Sequence, residues 1–433
     1  MPDTTASGRA PRGRVRRRVR ASRSEGPAPA RRRIGLALAG GGPLGGIYEV
    51  GALLALADTL DGLDFNDLDV YVGVSSGGFV AAALANGLSP AQMYRLFIDD
   101  GVDAALKPEI FLRPAFGEFA RCAAALPGLA ARATLQYLKD PFHRGVLESF
   151  STLARAMPTG VFDNRAIDEF LARLFAAPGR TNDFRKLGRK LFLVATNLDT
   201  GAPVTFGPHH HAHVPISRAI EASSALPGLF PPVAIDGDFY VDGALNKTLH
   251  ASVALDEGVQ LLLCVNPLVP FDASLAMRRG HTTVDKLNRG GLPLVLGQTF
   301  RAIIHSRMKV GMEKYRTQYP DADVLLFEPD REDADMFFAN IFSYWQRKRL
   351  CAIAFAKTRQ NIAARAEALA PVLRRHGIAI RHDRLAEADR RVGAALTDAR
   401  PLRADAGRKT VRQTTRELKH ALDQLERAVA SAR

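Results

Sequence analysis

Three short stretches of the sequence combine residue types that could carry out nucleophilic catalysis. The first is Gly73-Val74-Ser75-Ser76-Gly77, which follows the apolar run Val70–Val72 and precedes an apolar helical segment. A reversal from strand to helix this tight needs glycine on both sides of the serine, because other side chains would clash. The pattern predicts a nucleophile elbow that exposes the Ser75 hydroxyl above a helix N-terminus, where developing negative charge is favoured. By itself, the motif also fits an ordinary glycine-rich turn.

The second stretch is a glycine-rich loop upstream of the serine. An apolar segment, Ile34–Ala39, runs into residues 40–46, and a helix is expected from Ile47 to about Ala57. Consecutive glycines let backbone amides approach a bound oxygen with no Cβ in the way. We interpret the loop as an oxyanion hole formed by Gly40, Gly41, Gly42 and Gly45. A dinucleotide-type phosphate loop and a merely tight turn are the alternatives.

The third stretch, Asp242-Gly243-Ala244, follows the short apolar segment Phe239–Val241. Such a segment would deliver the Asp242 carboxylate into a turn opened by Gly243. A carboxylate there could take the proton from a serine hydroxyl, which is the base role in nucleophilic catalysis. A plain Asp-Gly turn is the alternative. We expect Asp242 to be the proton acceptor, with Gly243 and Ala244 forming its turn.

In this order, the three motifs resemble the patatin-like phospholipase family. The segment 222–233 (Ala-Ser-Ser-Ala-Leu-Pro-Gly-Leu-Phe-Pro-Pro-Val) is similar to the Ala-Ser-x-Ala-x-Pro-x-x-Phe-x-Pro stretch that precedes the Asp-Gly motif in that family. The resemblance covers residues 34–270. It implies a Ser75–Asp242 dyad that works without histidine on fatty-acyl esters of lipids. One departure is visible, since Pro43-Leu44 stand where the family often has a basic residue in the glycine loop.

Histidines supply the competing interpretations of the chemistry. In an ordinary Ser-His-Asp hydrolase, His250 or His281 would be the base. The cluster at 209–213 has four histidines in five residues, but neighbouring residues of an extended loop cannot all converge on one ion. We therefore interpret it as a surface loop, and we expect no metal and no cofactor.

Composition and charge narrow the class of protein. The 433 residues are 47% hydrophobic and 24% charged, which is typical of a soluble globular protein, and no apolar run reaches the ~20 residues that span a bilayer. Cys122, Cys264 and Cys351 are scattered, which is typical of a reducing compartment. Residues 1–33 contain eleven arginines and two acidic residues, a balance of +9 out of the chain's +14. This segment is expected to be disordered, and it could bind anionic lipid, bind nucleic acid, or be a solvated tail or the product of a misassigned start codon.

The remaining chain divides by pattern into a core domain and a helical end. We expect an acyl hydrolase domain at 34–330 and a helical C-terminal extension at 331–433. Residues 283–317 are predicted to form a helix whose basic face carries Arg301, His305, Arg307 and Lys309. An apolar stripe from Val411 to Val429 could pack on the domain, pair with a second copy or lie on a membrane.

Together these observations predict an α/β three-layer fold with a largely parallel central sheet. The function they favour is serine acyl hydrolysis of lipid esters, as a phospholipase or lipase would perform it. An acyltransferase, or a non-catalytic lipid- or nucleic-acid-binding protein, is the alternative. The expected partners are a lipid ester and, peripherally, an anionic membrane surface; nucleic acid is not favoured, and homo-oligomerisation through the C-terminal helix stays open. A cytoplasmic location, with peripheral membrane contact, fits these expectations.

Overall fold

A computed structural model describes residues 32–99, 113–139, 156–282, 287–338 and 346–399 of the chain. Residues 1–31 of the arginine-rich segment lie outside the described residues. The stripe from Val411 to Val429 also lies outside them. The predictions made for these two segments therefore remain predictions.

Eight strands of the described chain form one mixed sheet. The strands of the fold are β1 Ile34–Leu38, β2 Leu60–Asp61, β3 Val70–Gly73, β4 Lys190–Asn197, β5 Pro203–Phe206, β6 Val233–Ile235, β7 Asp238–Asp242, β8 Leu261–Val265, β9 Asp323–Phe327 and β10 Ala379–Ile380. The sheet order is β6-β7-β4-β3-β1-β8-β9, with β5 also paired to β4. The five strands β4, β3, β1, β8 and β9 run parallel, and β5, β6 and β7 are antiparallel to their neighbours. The predicted α/β fold with a largely parallel sheet is confirmed.

Helices cover both faces of this sheet. The α-helices of the described chain are α1 Gly42–Thr59, α2 Ser76–Ala85, α3 Pro90–Met93, α4 Phe116–Lys139, α5 Arg165–Phe175, α6 Ile216–Ser223, α7 Ser252–Asp256, α8 Ala273–Arg278, α9 Gly291–Gln318, α10 Ala334–Phe337, α11 Arg347–Ala364, α12 Ala366–Arg375, α13 His382–Ala386 and α14 Val392–Asp398. A π-helical turn, Tyr94–Ile98, continues α3. None of the helices in the described ranges is both long and apolar enough to cross a bilayer.

Side chains along the central strands point alternately to the two faces of the sheet, and each face has its own hydrophobic core. In β1, Leu36 and Leu38 belong to the larger hydrophobic cluster, which includes residues of α1, α2 and α11, whereas Ala37 faces the opposite cluster. That second cluster contains residues of α7 and the buried Met308 of α9. Because successive strand residues point to opposite faces, the sheet is the middle layer of three.

The helices after β9 pack on α1. Phe355 of α11 is fully buried in the same cluster as α1, and the short strand β10 pairs with β2 at the end of α1. Arg390 adds a buried bidentate ion pair, with its Nε and Nη2 2.7 and 2.6 Å from the two carboxylate oxygens of Asp58. The segment 347–398 is therefore joined to the start of the fold through apolar, backbone and charged contacts.

Two helices differ from the sequence expectation. α1 begins at Gly42 rather than Ile47, because Pro43 at the first turn fixes a helical φ and the proline needs no amide partner there. The prolines of the segment 89–160 predict short helical pieces there. Instead α4 runs through Pro127, whose side chain is exposed, so that its missing hydrogen bond does not disturb a packed core.

Candidate functional site

Ser75 lies at a sharp corner between β3 and α2. Its backbone angles are φ 52° and ψ −124°, which is a strained conformation for a residue with a side chain. A Cβ on Gly73 would lie 2.5 Å from Cα of Gly78, and a Cβ on Gly77 would lie 2.5 Å from the carbonyl oxygen of Leu38. The corner therefore leaves no room for a side chain at either glycine.

The sheet register brings Asp242 to the same place. Leu193 of β4 pairs with Gly73 of β3, and Ala195, two residues further along β4, pairs with Asp242 at the end of β7. Both of these β4 residues also pair with β5, so β5 occupies one edge of β4 while β3 and β7 share the other. The chain leaves β3 where β7 arrives from the opposite direction. Residues that are 167 positions apart in the sequence therefore meet.

The Asp242 carboxylate is buried and lies next to the Ser75 hydroxyl. Its Oδ1 accepts a hydrogen bond of 2.8 Å from the amide of Ala244, in the 3₁₀ turn that Gly243 begins. Burial raises the pKa of Asp242 to about 6, and hydrogen bonding from Ala244 and from Ser75 opposes this rise. The carboxylate can therefore accept a proton close to neutral pH.

Ser223 holds the backbone of Ser75, a role that the sequence analysis did not assign to it. The Ser223 Oγ accepts a hydrogen bond of 2.8 Å from the Ser75 amide and donates one of 2.6 Å to the carbonyl of Val194 in β4. Ser223 is fully buried near the end of α6. In the sequence, only its place in the segment 222–233 draws attention to Ser223. The contact itself joins residues 148 positions apart, and no local pattern indicates it.

The glycine loop lies against Ser75 and the turn that follows Asp242. A Cβ on Gly40 would be 3.1 Å from the Cβ atoms of both Ser75 and Ala244, so the loop passes directly beside the serine. Gly41 precedes α1, and Gly42 begins it with φ +62°. The amides of a helix's first turn have no partner within the helix. The amide of Gly45 differs, since it donates to the carbonyl of Gly41 at 3.0 Å.

An apolar cavity of about 350 Å³ opens beside Ser75. Gly40, Gly41 and Gly42 border it together with Ser75 and Asp242, whereas Gly45 does not. The π-helical turn contributes Phe97 and Ile98 to its wall. Further apolar walls come from Ile47, Val50, Phe79, Ile167, Phe170, Leu171, Ile220, Leu226, Leu229, Phe230, Leu268, Phe300 and Ile304. Among the residues that the structure describes, Asp242 and Arg301 are the charged ones that border the cavity.

The two histidines considered as bases lie differently. His250 is buried, and its Nε2 donates to the carbonyl of Gly243 at 3.3 Å. Burial lowers the pKa of His250 to about 4, so the ring is neutral at physiological pH. His281 is exposed. Neither residue borders the cavity.

The chain is similar to several known proteins. The chain is 24% identical over 222 residues to the uncharacterized protein R571 of Acanthamoeba polyphaga mimivirus, a match over 51% of this chain and 60% of that protein. Among solved structures, it is similar to VipD from Legionella pneumophila (18% identity, 58% of this chain and 53% of that chain, TM-score 0.31). It is also similar to the type III effector protein ExoU (16% identity, 78% and 54%, TM-score 0.32).

The chain thus spans 60% of the length of its curated relative and about half of each solved chain. The family model of patatin-like phospholipases matches residues 36–255, just over half of the chain, and this range contains the elbow, the glycine loop and Asp242. The chain belongs to the patatin-like phospholipase family.

Proposed function

We propose that this protein is a serine acyl hydrolase that cleaves fatty-acyl esters of lipids. The observation that carries the proposal is the buried Ser75 hydroxyl next to the Asp242 carboxylate at the wall of an apolar cavity. A serine at a strained strand-to-helix corner, beside a carboxylate with a raised pKa, has the arrangement of an activated nucleophile and its base. The apolar walls suit an acyl chain.

In the proposed reaction, Asp242 takes the proton of the Ser75 hydroxyl while Oγ attacks the ester carbonyl carbon. The bond to the leaving alcohol breaks, and the alcohol takes the proton from Asp242. A water molecule then gives a proton to Asp242 and attacks the acyl-serine. The bond between the acyl carbon and Oγ of Ser75 then breaks, Asp242 returns its proton to Oγ, and the fatty acid leaves. A base whose pKa lies near 6 suits both proton transfers close to neutral pH.

The oxyanion would be held by amides at the starts of α1 and α2. Gly41 and Gly42 border the cavity beside Ser75, and Ser76 is the first residue of α2. Amides at helix starts point outwards and carry the positive end of the helix dipole. The amide of Gly45 is already used within the first turn of α1, so we leave Gly45 out of the proposed donors.

The test is hydrolysis of a medium-chain p-nitrophenyl ester and of a phospholipid by the purified full chain. Ser75→Ala and Asp242→Asn should each abolish turnover without unfolding the protein. Ser217→Ala is the matched control, because Ser217 is a buried serine whose Oγ bonds Asn182 and which does not border the cavity. Turnover that survives Ser75→Ala would mean that another group is the nucleophile.

We also propose peripheral contact with an anionic bilayer, through the outer side of α9. Leu292, Leu296 and Ile303 are at least 45% exposed on this side, and the same helix borders the cavity with its inner side. The sequence from 287 to 312 contains no acidic residue. A bilayer on this side would lie against a helix that also borders the cavity.

Sedimentation with vesicles of phosphatidylcholine and phosphatidylglycerol tests this contact. In a Ser75→Ala background, Leu296→Asp combined with Ile303→Asp should reduce binding. Leu198→Asp, at an equally exposed leucine away from the cavity, should not. Equal binding by all of these proteins would contradict the contact.

A further inference from the structure

Arg301 borders the cavity from α9 and is fixed there by aromatic rings. Its guanidinium carbon lies 4.6 Å from the ring centroid of Phe337, and that ring stacks on Phe271 with a centroid distance of 4.7 Å. The side chain is partly buried. Stacking on an aromatic face restricts a guanidinium without using its five N–H donors. Arg301 is therefore held in position with its donors free.

Within the described ranges, no acidic group neutralises this cation. Arg301 makes no ion pair or hydrogen bond there, and burial lowers its pKa with no acidic residue opposing the shift. Asp330 and Asp333 border a small neighbouring cavity that Arg301 also borders. However, Asp330 pairs with Lys357 at 3.8 Å, and Asp333 caps α10 with its Oδ1, while its buried Oδ2 has no hydrogen-bond partner. Neither carboxylate contributes to the pKa shift of Arg301. Shielding a guanidinium from water without an anion costs free energy, which a bound anion would recover.

Arg301 is also separate from the reacting groups. The groups that shift the pKa of Asp242 are the Ala244 amide and the Ser75 hydroxyl, in addition to burial, and Arg301 is not among them. An opposite charge within about 4–6 Å would lower the pKa of a carboxylate. The cavity thus has a carboxylate beside the serine and, on α9, a cation that does not shift the pKa of that carboxylate. Pro43-Leu44 of the glycine loop supply no other cation.

We propose that Arg301 binds the phosphodiester of a phospholipid whose acyl ester lies at Ser75. This inference rests on the proposed hydrolase function and names the residue that holds the head-group phosphate beside that site. The planar guanidinium matches two phosphate oxygens at once, which an ammonium group does not. The carboxylate of a released fatty acid offers the same anionic chemistry, so the experiment must separate these two sources.

The experiment compares phosphatidylglycerol with diacylglycerol of the same acyl chains, each in the same detergent micelles. The proteins are the full chain, Arg301→Gln, Arg301→Lys and the control Arg316→Gln, which changes an exposed arginine near the end of the same helix that does not border the cavity. Losing a charged hydrogen-bonding pair should lower kcat/KM for phosphatidylglycerol about 10- to 100-fold in Arg301→Gln. Diacylglycerol hydrolysis should stay unchanged, Arg301→Lys should be intermediate, and the control should match wild type.

Binding provides a readout that does not depend on turnover. In the Ser75→Ala background, Arg301→Gln should weaken binding of a monomeric short-chain phosphatidylglycerol by a similar factor. If wild type hydrolyses neither lipid but this Arg301-dependent binding persists, the hydrolase function is wrong and the anion site stands. Equal losses on both substrates, or no loss on either, would overturn the site.

A third measurement, inhibition by free fatty acid, distinguishes binding of the product carboxylate from binding of the substrate phosphodiester. If Arg301→Gln only relieves inhibition by free fatty acid, and leaves the ratio of the two substrates unchanged, then the phosphodiester assignment is wrong. If Arg301→Gln does not fold, Arg301→Met keeps an unbranched apolar stem against Phe337 and is judged by the same ratio.

Discussion

Ser223→Ala tests whether the geometry of the elbow depends on a residue that touches neither substrate nor base. The change removes the acceptor of the Ser75 amide and the donor to the Val194 carbonyl, at 2.8 and 2.6 Å. Because Ser223 is fully buried, water cannot replace the hydroxyl. Each unsatisfied backbone group costs about 1–3 kcal/mol. For two such groups, we expect the free energy of unfolding to fall by about 2–6 kcal/mol.

Turnover should fall further than stability alone explains. Without Ser223, the strained φ of Ser75 loses a restraint and Oγ can move away from its attack position. A displacement of the nucleophile by about 1 Å can lower the rate about 100-fold. We expect kcat to fall about 10- to 100-fold, with little change in KM, because Ser223 does not border the cavity.

The assay is ester hydrolysis at several substrate concentrations, together with urea unfolding, beside Ser217→Ala on the same helix. Ser217→Ala also loses a buried hydrogen bond, of 2.9 Å to Asn182, and should cost about 1 kcal/mol of stability. Its kcat should match wild type. If Ser223→Ala retains the wild-type kcat, or if both variants lose it equally, the positioning role of Ser223 is refuted.

Three further predictions follow from groups near Ser75. Asp242 has a pKa near 6 in the folded protein and about 3.9 in the unfolded chain, so its ionisation opposes folding. Asp242→Asn should therefore be more stable than wild type by about 2–4 kcal/mol above pH 6, and the difference should vanish near pH 4. The kcat/KM of wild type should fall as the pH drops below 6, because Asp242 then becomes protonated. Gly41→Ala would place a Cβ 2.6 Å from Cγ of Pro267 and should lower kcat about 100- to 1,000-fold, because it moves an oxyanion amide. A Cβ on Gly46 meets nothing closer than 3.6 Å, so Gly46→Ala is the control. If Gly46→Ala is equally slow, the steric clash at Gly41 is not the cause. His250→Gln should retain turnover in the same ester assay, since the ring bonds Gly243 rather than the serine; complete loss of activity in a folded protein would favour a histidine base.

Sequence was informative where the backbone itself restricts residue choice. The elbow glycines and the Asp242-Gly243 turn were recognisable because only a few residue types fit such local geometry. The strands could be found for a similar reason, since their apolar runs are short and bounded by turns. The assignment of roles to Ser75 and Asp242 stays a prediction that awaits the variants.

Contacts between distant segments could not be foreseen in this way. Ser223 and Arg301 are ordinary residues in the sequence, and their significance comes from partners brought close by the sheet and by α9. Pairing of β2 with β10 was missed because two-residue strands leave no periodic pattern. The start of α1 was placed too late, since a run of glycines reads as loop even where a proline begins a helix.

The shared edge of β4 has a consequence for how such a protein can diversify. Ser75 and Asp242 meet because β3 and β7 use neighbouring positions of one strand. The described residues between α2 and β4 add no strand to that arrangement, yet they supply cavity walls such as Phe97 and Phe170. Insertions and deletions there would reshape the pocket while the reacting pair keeps its spacing. A lineage could thus change its preferred lipid by remodelling loops, without altering the strands that hold the chemistry.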